Sequence, residues 1–306
     1  MPSDDVTAHL RARLAADPVL TAVLAFAVVA LLARLVFLGD RIMHYDEGRV
    51  AYWALQYQEM GTISYRYILH GPFVQYVDAA LFGLFGQSDA VARLPLAIFG
   101  GLLPLSALLF RERLRDVEVG GVAALLALNP VLLYYSRFLR STLLVAGLSF
   151  VAFGCLVRAY DGHGLQYVYA ASALVALAFA AKENAAIYLL VWVGATGVLV
   201  VARLFWPWRE QRARDAVRDA WGWLSDRVRA GGRELALRVG GHTLGVAAVF
   251  FFVALFFYAP RNPAEGVGFW QTVFHPWKLP QLLDATIADV VQGYGYWFGG
   301  STDPGC

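Results

Sequence analysis

Residues 19–38 read VLTAVLAFAVVALLARLVFL, an apolar run whose single charge is Arg34. At 1.5 Å of rise per residue, a helix of this length covers the roughly 30 Å hydrocarbon core of a bilayer. Further apolar stretches follow at 94–110, 118–135, 142–158, 166–181, 185–203 and 241–259. The third, fourth and fifth spans in this series are short or carry polar residues. In lipid each must satisfy its backbone hydrogen bonds within itself, which selects helices. No stretch shows the alternation of a barrel strand. The expectation is an all-α polytopic membrane protein with about seven transmembrane helices.

Composition agrees. The chain has 306 residues, 59% hydrophobic and 16% charged, with a mean hydropathy of +0.54. Soluble chains carry about 25% charged residues. The net charge of +2 gives no reason to expect a nucleic-acid partner. Cys155 lies inside an apolar run and Cys306 is the last residue, so neither a disulfide framework nor a thiolate metal site is available. The run 19–38 is longer than the apolar core of a signal peptide, and no small-x-small cleavage site follows it. It is expected to stay as an anchor. Within segment 1–18, the polar stretch Asp4 to Ala16, with Arg11 and Arg13, is either a short interfacial helix or a loose tail.

Basic residues set the orientation. With segment 1–18 cytoplasmic, the inner loops are 111–117, 159–165 and 204–240. They hold Arg111, Arg113 and Arg115, then a run from Arg209 to Arg238. Lys and Arg in short loops mark the cytoplasmic side. The domain order is then a cytoplasmic segment 1–18, a membrane module 19–205 with a large outer loop 39–93, and a basic amphipathic loop 206–240. A seventh span 241–259 and an outer, incomplete segment 260–306 complete it. The loop 206–240, with Trp206, Trp208, Trp221 and Trp223, reads as an anchor against anionic head groups. The outer loop 39–93 is rich in aromatics and suits interfacial helices. Its stretch 73–85 could instead be a short span, which would invert everything downstream; the basic loops argue against that.

This orientation gathers Asp46, Glu47, His70, Arg137, Arg140, Lys182 and Glu183 on the outer border. Ionisable groups at a membrane border need water, one another or a ligand. Asp46 and Glu47 follow Tyr45 just beyond the first span. A carboxylate there can take a proton from a hydroxyl acceptor, or bind a divalent cation such as Mg or Mn; Asp46 is the candidate ligand. Neighbours on a helix diverge by about 100°, so two distinct roles are more natural than one. Asp46 could equally cap a helix 47–60. His70, before Gly71 and Pro72, can contact a phosphate, and Gly71 lets backbone come close to a ligand. Arg93 reads as a snorkelling anchor. Tyr134, Arg137 and Arg140 are spaced three apart and would share one helical face. Two guanidiniums side by side call for an anion, either a specific phosphate or lipid head groups. Lys182, Glu183 and Asn184 form a tight outer turn, in which Lys182 can neutralise a phosphate and Glu183 and Asn184 support it.

Together these groups provide what sugar transfer from a polyprenyl-phosphate donor requires. A base deprotonates the acceptor, and cations stabilise the departing phosphate. The order Asp46-Glu47, Gly71-Pro72, Ala92-Arg93-Leu94-Pro95, Ser136-Arg137 through Arg140, and Ala181-Lys182-Glu183 resembles the GT-C polytopic glycosyltransferases. It is most similar to the branch of protein O-mannosyltransferases and aminoarabinose transferases. Within it, Met43 to Gly48 and Leu69 to Pro72 resemble an archaeal subfamily of flippase-activity-associated proteins in N-glycosylation. The resemblance covers roughly residues 19–205. It implies a multi-pass protein of the cell membrane with an extracytoplasmic active site, a polyprenyl (dolichyl) phosphate-linked sugar as donor, and a glycan or protein acceptor. It further implies Asp46 as base or metal-linked acid, Glu47 assisting, and Arg137, Arg140 and Lys182 facing the lipid phosphate. His70 stands where members usually carry lysine. The alternative is a non-catalytic protein that assists flipping of lipid-linked glycans.

Overall fold

A computed structural model describes residues 15–67, 70–205, 210–263 and 266–299. The helix-or-tail reading of Arg11 and Arg13, Trp206 and Trp208, and Cys306 fall outside the described residues. The chain is all-α, and among the described residues a lone β-bridge joins Ile63 to Arg261. The helices are α1 (Pro18–Leu35), α2 (Tyr45–Met60), α3 (Phe73–Phe85), α4 (Asp89–Leu102), α5 (Asp116–Leu128), α6 (Pro130–Ser136), α7 (Thr142–Tyr160), α8 (Gln166–Ala181), α9 (Ala185–Phe205), α10 (Glu210–Tyr258), α11 (Phe269–Phe274) and α12 (Leu279–Phe298). A 3-10 segment, Leu103–Phe110, extends α4. In α10, Gly232 adopts a non-helical conformation (φ 42°), so a break separates the basic loop from the apolar half.

All seven expected spans are helical. Five are long and apolar enough to cross a membrane alone: Pro18–Leu35, Asp89–Phe110, Thr142–Tyr160, Ala185–Ala202 and Glu234–Tyr258. The stretch expected as one span at 118–135 is a pair, α5 and α6, bent by 49°. Helix α8 has 16 residues and is shorter than a usual span. The core packs Val50, Ala54, Val74, Leu96, Leu139 and Leu148 with other buried side chains, joining α2 and α3 to the spans.

The bend has a local cause. Pro130 has no N–H to give Leu126, four residues back, and the N–H of Val131 goes to the Asn129 side chain at 2.9 Å. Two carbonyls at the end of α5 therefore lack helical donors. Arg34, fully buried in α1, donates to Ala127 at 2.9 Å and to Leu126 at 3.2 Å. The one charge in the deciding stretch thus repairs a broken helix 93 positions along the chain.

Ion pairs sort the helix ends into two sets. Arg111 with Asp17, Arg113 with Asp161, and Arg158 and His163 with Glu112 lie at one end. Arg93 with Glu47, Arg140 with Asp46, and His70 with Glu183 lie at the other. At this second end Arg93, from α4, donates to the carbonyls of Leu38 and Arg41, just past α1. Region 39–93 therefore leaves and returns at the same end, and α3 does not invert the later helices.

Candidate active site

Helix α2 starts with His44 as its cap. The His44 ring accepts from the Asp46 N–H at 3.2 Å, and the Glu47 carboxylate accepts from the His44 N–H at 2.9 Å. This reciprocal box fixes the first turn. Asp46 is therefore not the cap, and its side chain is available for other contacts.

The two acids differ sharply. Glu47 is fully buried and takes donors from Arg93 at 2.9 Å, Arg41 at 2.7 Å, and the Leu139 N–H at 2.8 Å. Burial alone would push its carboxyl up, but the Arg93 guanidinium and the backbone donors outweigh that and bring it down to about 2. Arg93, expected at the head-group level, is buried; its charge is spent on Glu47 and on two carbonyls, not on lipid. Asp46 is 31% exposed and pairs with Arg140 at 2.9 Å. It lines a polar cavity of about 30 Å³ together with Arg49, His70, Gln75, Arg140 and Ser141. That enclosed volume holds little more than a water or two.

Opposite Asp46 lies the turn after α8. Glu183 is buried and accepts from the Tyr65 hydroxyl, while its other oxygen meets the His70 ring at 3.2 Å. Burial and the Glu183 charge push the Tyr65 hydroxyl up, so it remains a donor. Lys182 makes no ion pair among the described residues. Burial and the nearby Arg140 push its ammonium down, with Glu183 opposing. Asn184 has a buried side-chain oxygen with no hydrogen-bond partner. His70 holds a left-handed backbone (φ 69°), a cost of about 1–2 kcal/mol for a residue with a Cβ. Gly71 explains why the chain runs there. A Cβ at Gly71 would lie 2.1 Å from the Ala180 carbonyl, so this backbone closely approaches α8.

Arg137 and Arg140 do not share a face. Helix α6 ends at Ser136, and Phe138 and Leu139 turn into the core. Arg140 enters the Asp46 cavity. Arg137 folds back on α1 and donates to the carbonyls of Ala33 and Phe37, both at 2.9 Å. Tyr45 is exposed, and the Arg49 guanidinium lies 5.9 Å from its ring centre. Arg49, Gln75 and Ser141 were missed by the sequence reading. Arg49 had a signal, since it sits three residues after Asp46 on one helix. Gln75 and Ser141 had none.

Residues 69–210 match the model of the dolichyl-phosphate-mannose-protein mannosyltransferase family. The matched stretch includes His70, Arg137, Arg140, Lys182 and Glu183 and leaves out Asp46 and Glu47. It supports the GT-C glycosyltransferase likeness carried by the motifs. No curated protein and no solved structure matches the chain.

Among the described residues no three His, Cys, Asp or Glu side chains gather to hold a metal ion. The partner of Asp46 is a guanidinium, so this donor set does not fit a cation held by protein ligands alone. Next to the cavity, Tyr258 and Tyr294 border an apolar groove of about 670 Å³ between α10 and α12, walled by Phe250, Leu255 and Ile287. The Tyr294 hydroxyl donates to the Glu183 carbonyl at 3.4 Å, which links the groove to the polar site. In α3, Asp78 is fully buried with neither oxygen hydrogen-bonded, and burial pushes its carboxyl well up.

Proposed function

We propose that this chain transfers a sugar from a polyprenyl (dolichyl) phosphate donor to a hydroxyl of a glycan or protein acceptor at the outer face of the cell membrane. The observation that carries this reading is the position of Asp46: a partly exposed carboxylate in a polar cavity walled also by Arg49, Arg140 and the His70 ring. The cavity is small, so only the reacting atoms sit against it and the sugar lies across its mouth. The acceptor hydroxyl gives its proton to Asp46 as its oxygen bonds to the anomeric carbon. The bond from that carbon to the phosphate oxygen breaks, and the polyprenyl phosphate departs with an added negative charge. Arg49, Arg140, Lys182 and His70 stabilise that charge as it develops. Glu47 fixes the loop that presents Asp46 and touches no substrate. Glu183 aims His70, Asn184 holds the turn, and Tyr45 flanks Arg49. The prenyl chain lies in the apolar groove beside Tyr294. The finer likeness to the archaeal flippase-associated proteins rests on the wording of residues 43–48 and 69–72 alone.

The test is sugar transfer from a labelled polyprenyl-phosphate sugar in membranes carrying the full chain. Asp46→Asn should lower the rate about a hundredfold or more, the usual share of a general base. Arg140→Gln should lower it as well, because it removes a phosphate partner. Unchanged transfer in Asp46→Asn overturns the assignment. Loss of glycan flipping in that variant with no transfer by the unmodified chain would favour the non-catalytic role.

A further inference from the structure

A second cavity, of about 310 Å³, opens at the same end of the bundle between the end of α1 and the start of α6. Its walls are Leu38, Arg41, Pro130, Leu133, Tyr134 and Arg137. The Phe138 ring lies 5.3 Å from the Arg41 guanidinium and packs against the His44 ring. We infer that this cavity binds the phosphate head of an anionic membrane phospholipid, with Arg41 and Arg137 reading the phosphate.

Charge supports the inference first. Glu47 is shared between Arg41 and the buried Arg93, so that trio keeps one positive charge. Arg137 adds another, since among the described residues it donates to two carbonyls rather than to a carboxylate. A guanidinium has five N–H donors. Arg137 uses two toward α1, and Arg41 uses its two terminal nitrogens on Ile42, Glu47 and the Arg137 carbonyl. Each keeps donors for an oxyanion, and a planar fork matches phosphate oxygens.

The walls decide between a lipid and a free anion. A soluble anion gains nothing from Leu38, Pro130 and Leu133. An acyl chain does, and the neighbouring surface continues apolar, with Phe37 72% and Val131 60% exposed. Tyr134, 53% exposed, sits beside the charged walls as interfacial tyrosines do, with ring in the apolar layer and hydroxyl toward head groups.

Native mass spectrometry of the full chain in detergent micelles tests this with three probes: phosphatidylglycerol, phosphatidylcholine and inorganic phosphate. One phosphatidylglycerol should be retained roughly tenfold more tightly than phosphatidylcholine, whose choline cation offsets the phosphate charge that the two guanidiniums read. Arg137→Gln should abolish that preference. Because Arg137 also braces α1, Leu133→Trp is the second variant: it fills the cavity and leaves both guanidiniums in place. Loss of the lipid in Leu133→Trp with an unchanged melting temperature supports the site. Equal retention of both lipids by the unmodified chain, undiminished retention in Leu133→Trp, or displacement of the lipid by inorganic phosphate overturns it.

Discussion

Asp46 and Glu47 are adjacent in the chain, yet one faces a cavity and the other is enclosed by four donors. The acid pair and a division of roles within it were legible from sequence; the burial of Glu47 was not, because it depends on Arg93 arriving from 46 residues away. Hydropathy placed Arg93 at a border and could not show that it is buried. The Glu47 network also sets a pH response. Its folded value, about 2, lies below that of the free side chain, so its stabilisation is present above about 4.5. It fades as pH falls toward 2. Glu47→Gln leaves Arg93 buried without a counter-charge, and should cost about 3–5 kcal/mol at pH 7. Thermal unfolding in detergent should show that gap narrowing as the pH is lowered through 4. A constant gap across that range would mean that Glu47 is not ionised in the fold.

Among the elements, the bent pair α5–α6 shows what periodicity can and cannot give. The apolar run 118–135 announced a span, and Asn129-Pro130 was visible inside it. What no local pattern revealed is that Arg34 supplies the missing donors. The same break ends α6 at Ser136 and parts Arg137 from Arg140, so the shared face expected from their spacing never forms. Arg34→Met should destabilise strongly, since carbonyls left bare in lipid cost several kcal/mol each. Arg34→Lys should rescue little, because an ammonium lacks the fork that reaches two carbonyls. The decisive measurement is a double-mutant cycle with Asn129→Leu/Pro130→Ala, which lets α5 run on and keep its own hydrogen bonds. That background should make Arg34→Met far milder in thermal unfolding. Additive losses would show that Arg34 acts elsewhere. Likewise Gly71→Ala drives a methyl into the α8 carbonyl and should displace His70 from Glu183.

Across the whole molecule, the two belts of ion pairs repeat the side bias of the sequence: residues placed on one side find partners on that side. Spans and side grouping were legible because hydropathy and charge are properties of segments. The walls of the Asp46 cavity were not, because they join three segments, 46–50, 70–75 and 140–141, that no spacing relates. Cysteine introduced at the exposed Ile42 should react with a membrane-impermeant maleimide from outside, and cysteine at the exposed Val117 only after permeabilisation. Labelling of both from one side would undo the orientation. The reach of Arg34 also has a temporal side. The carbonyls that receive it are made 93 residues later, an interval on the order of 5–20 s of translation. Until they emerge, the first helix carries a cation without those partners, a cost of at most about 3 kcal/mol that its apolar side chains offset. The first helix therefore enters the bilayer before its arginine is satisfied, and the arrival of Leu126 and Ala127 is what locks the first half of the bundle together.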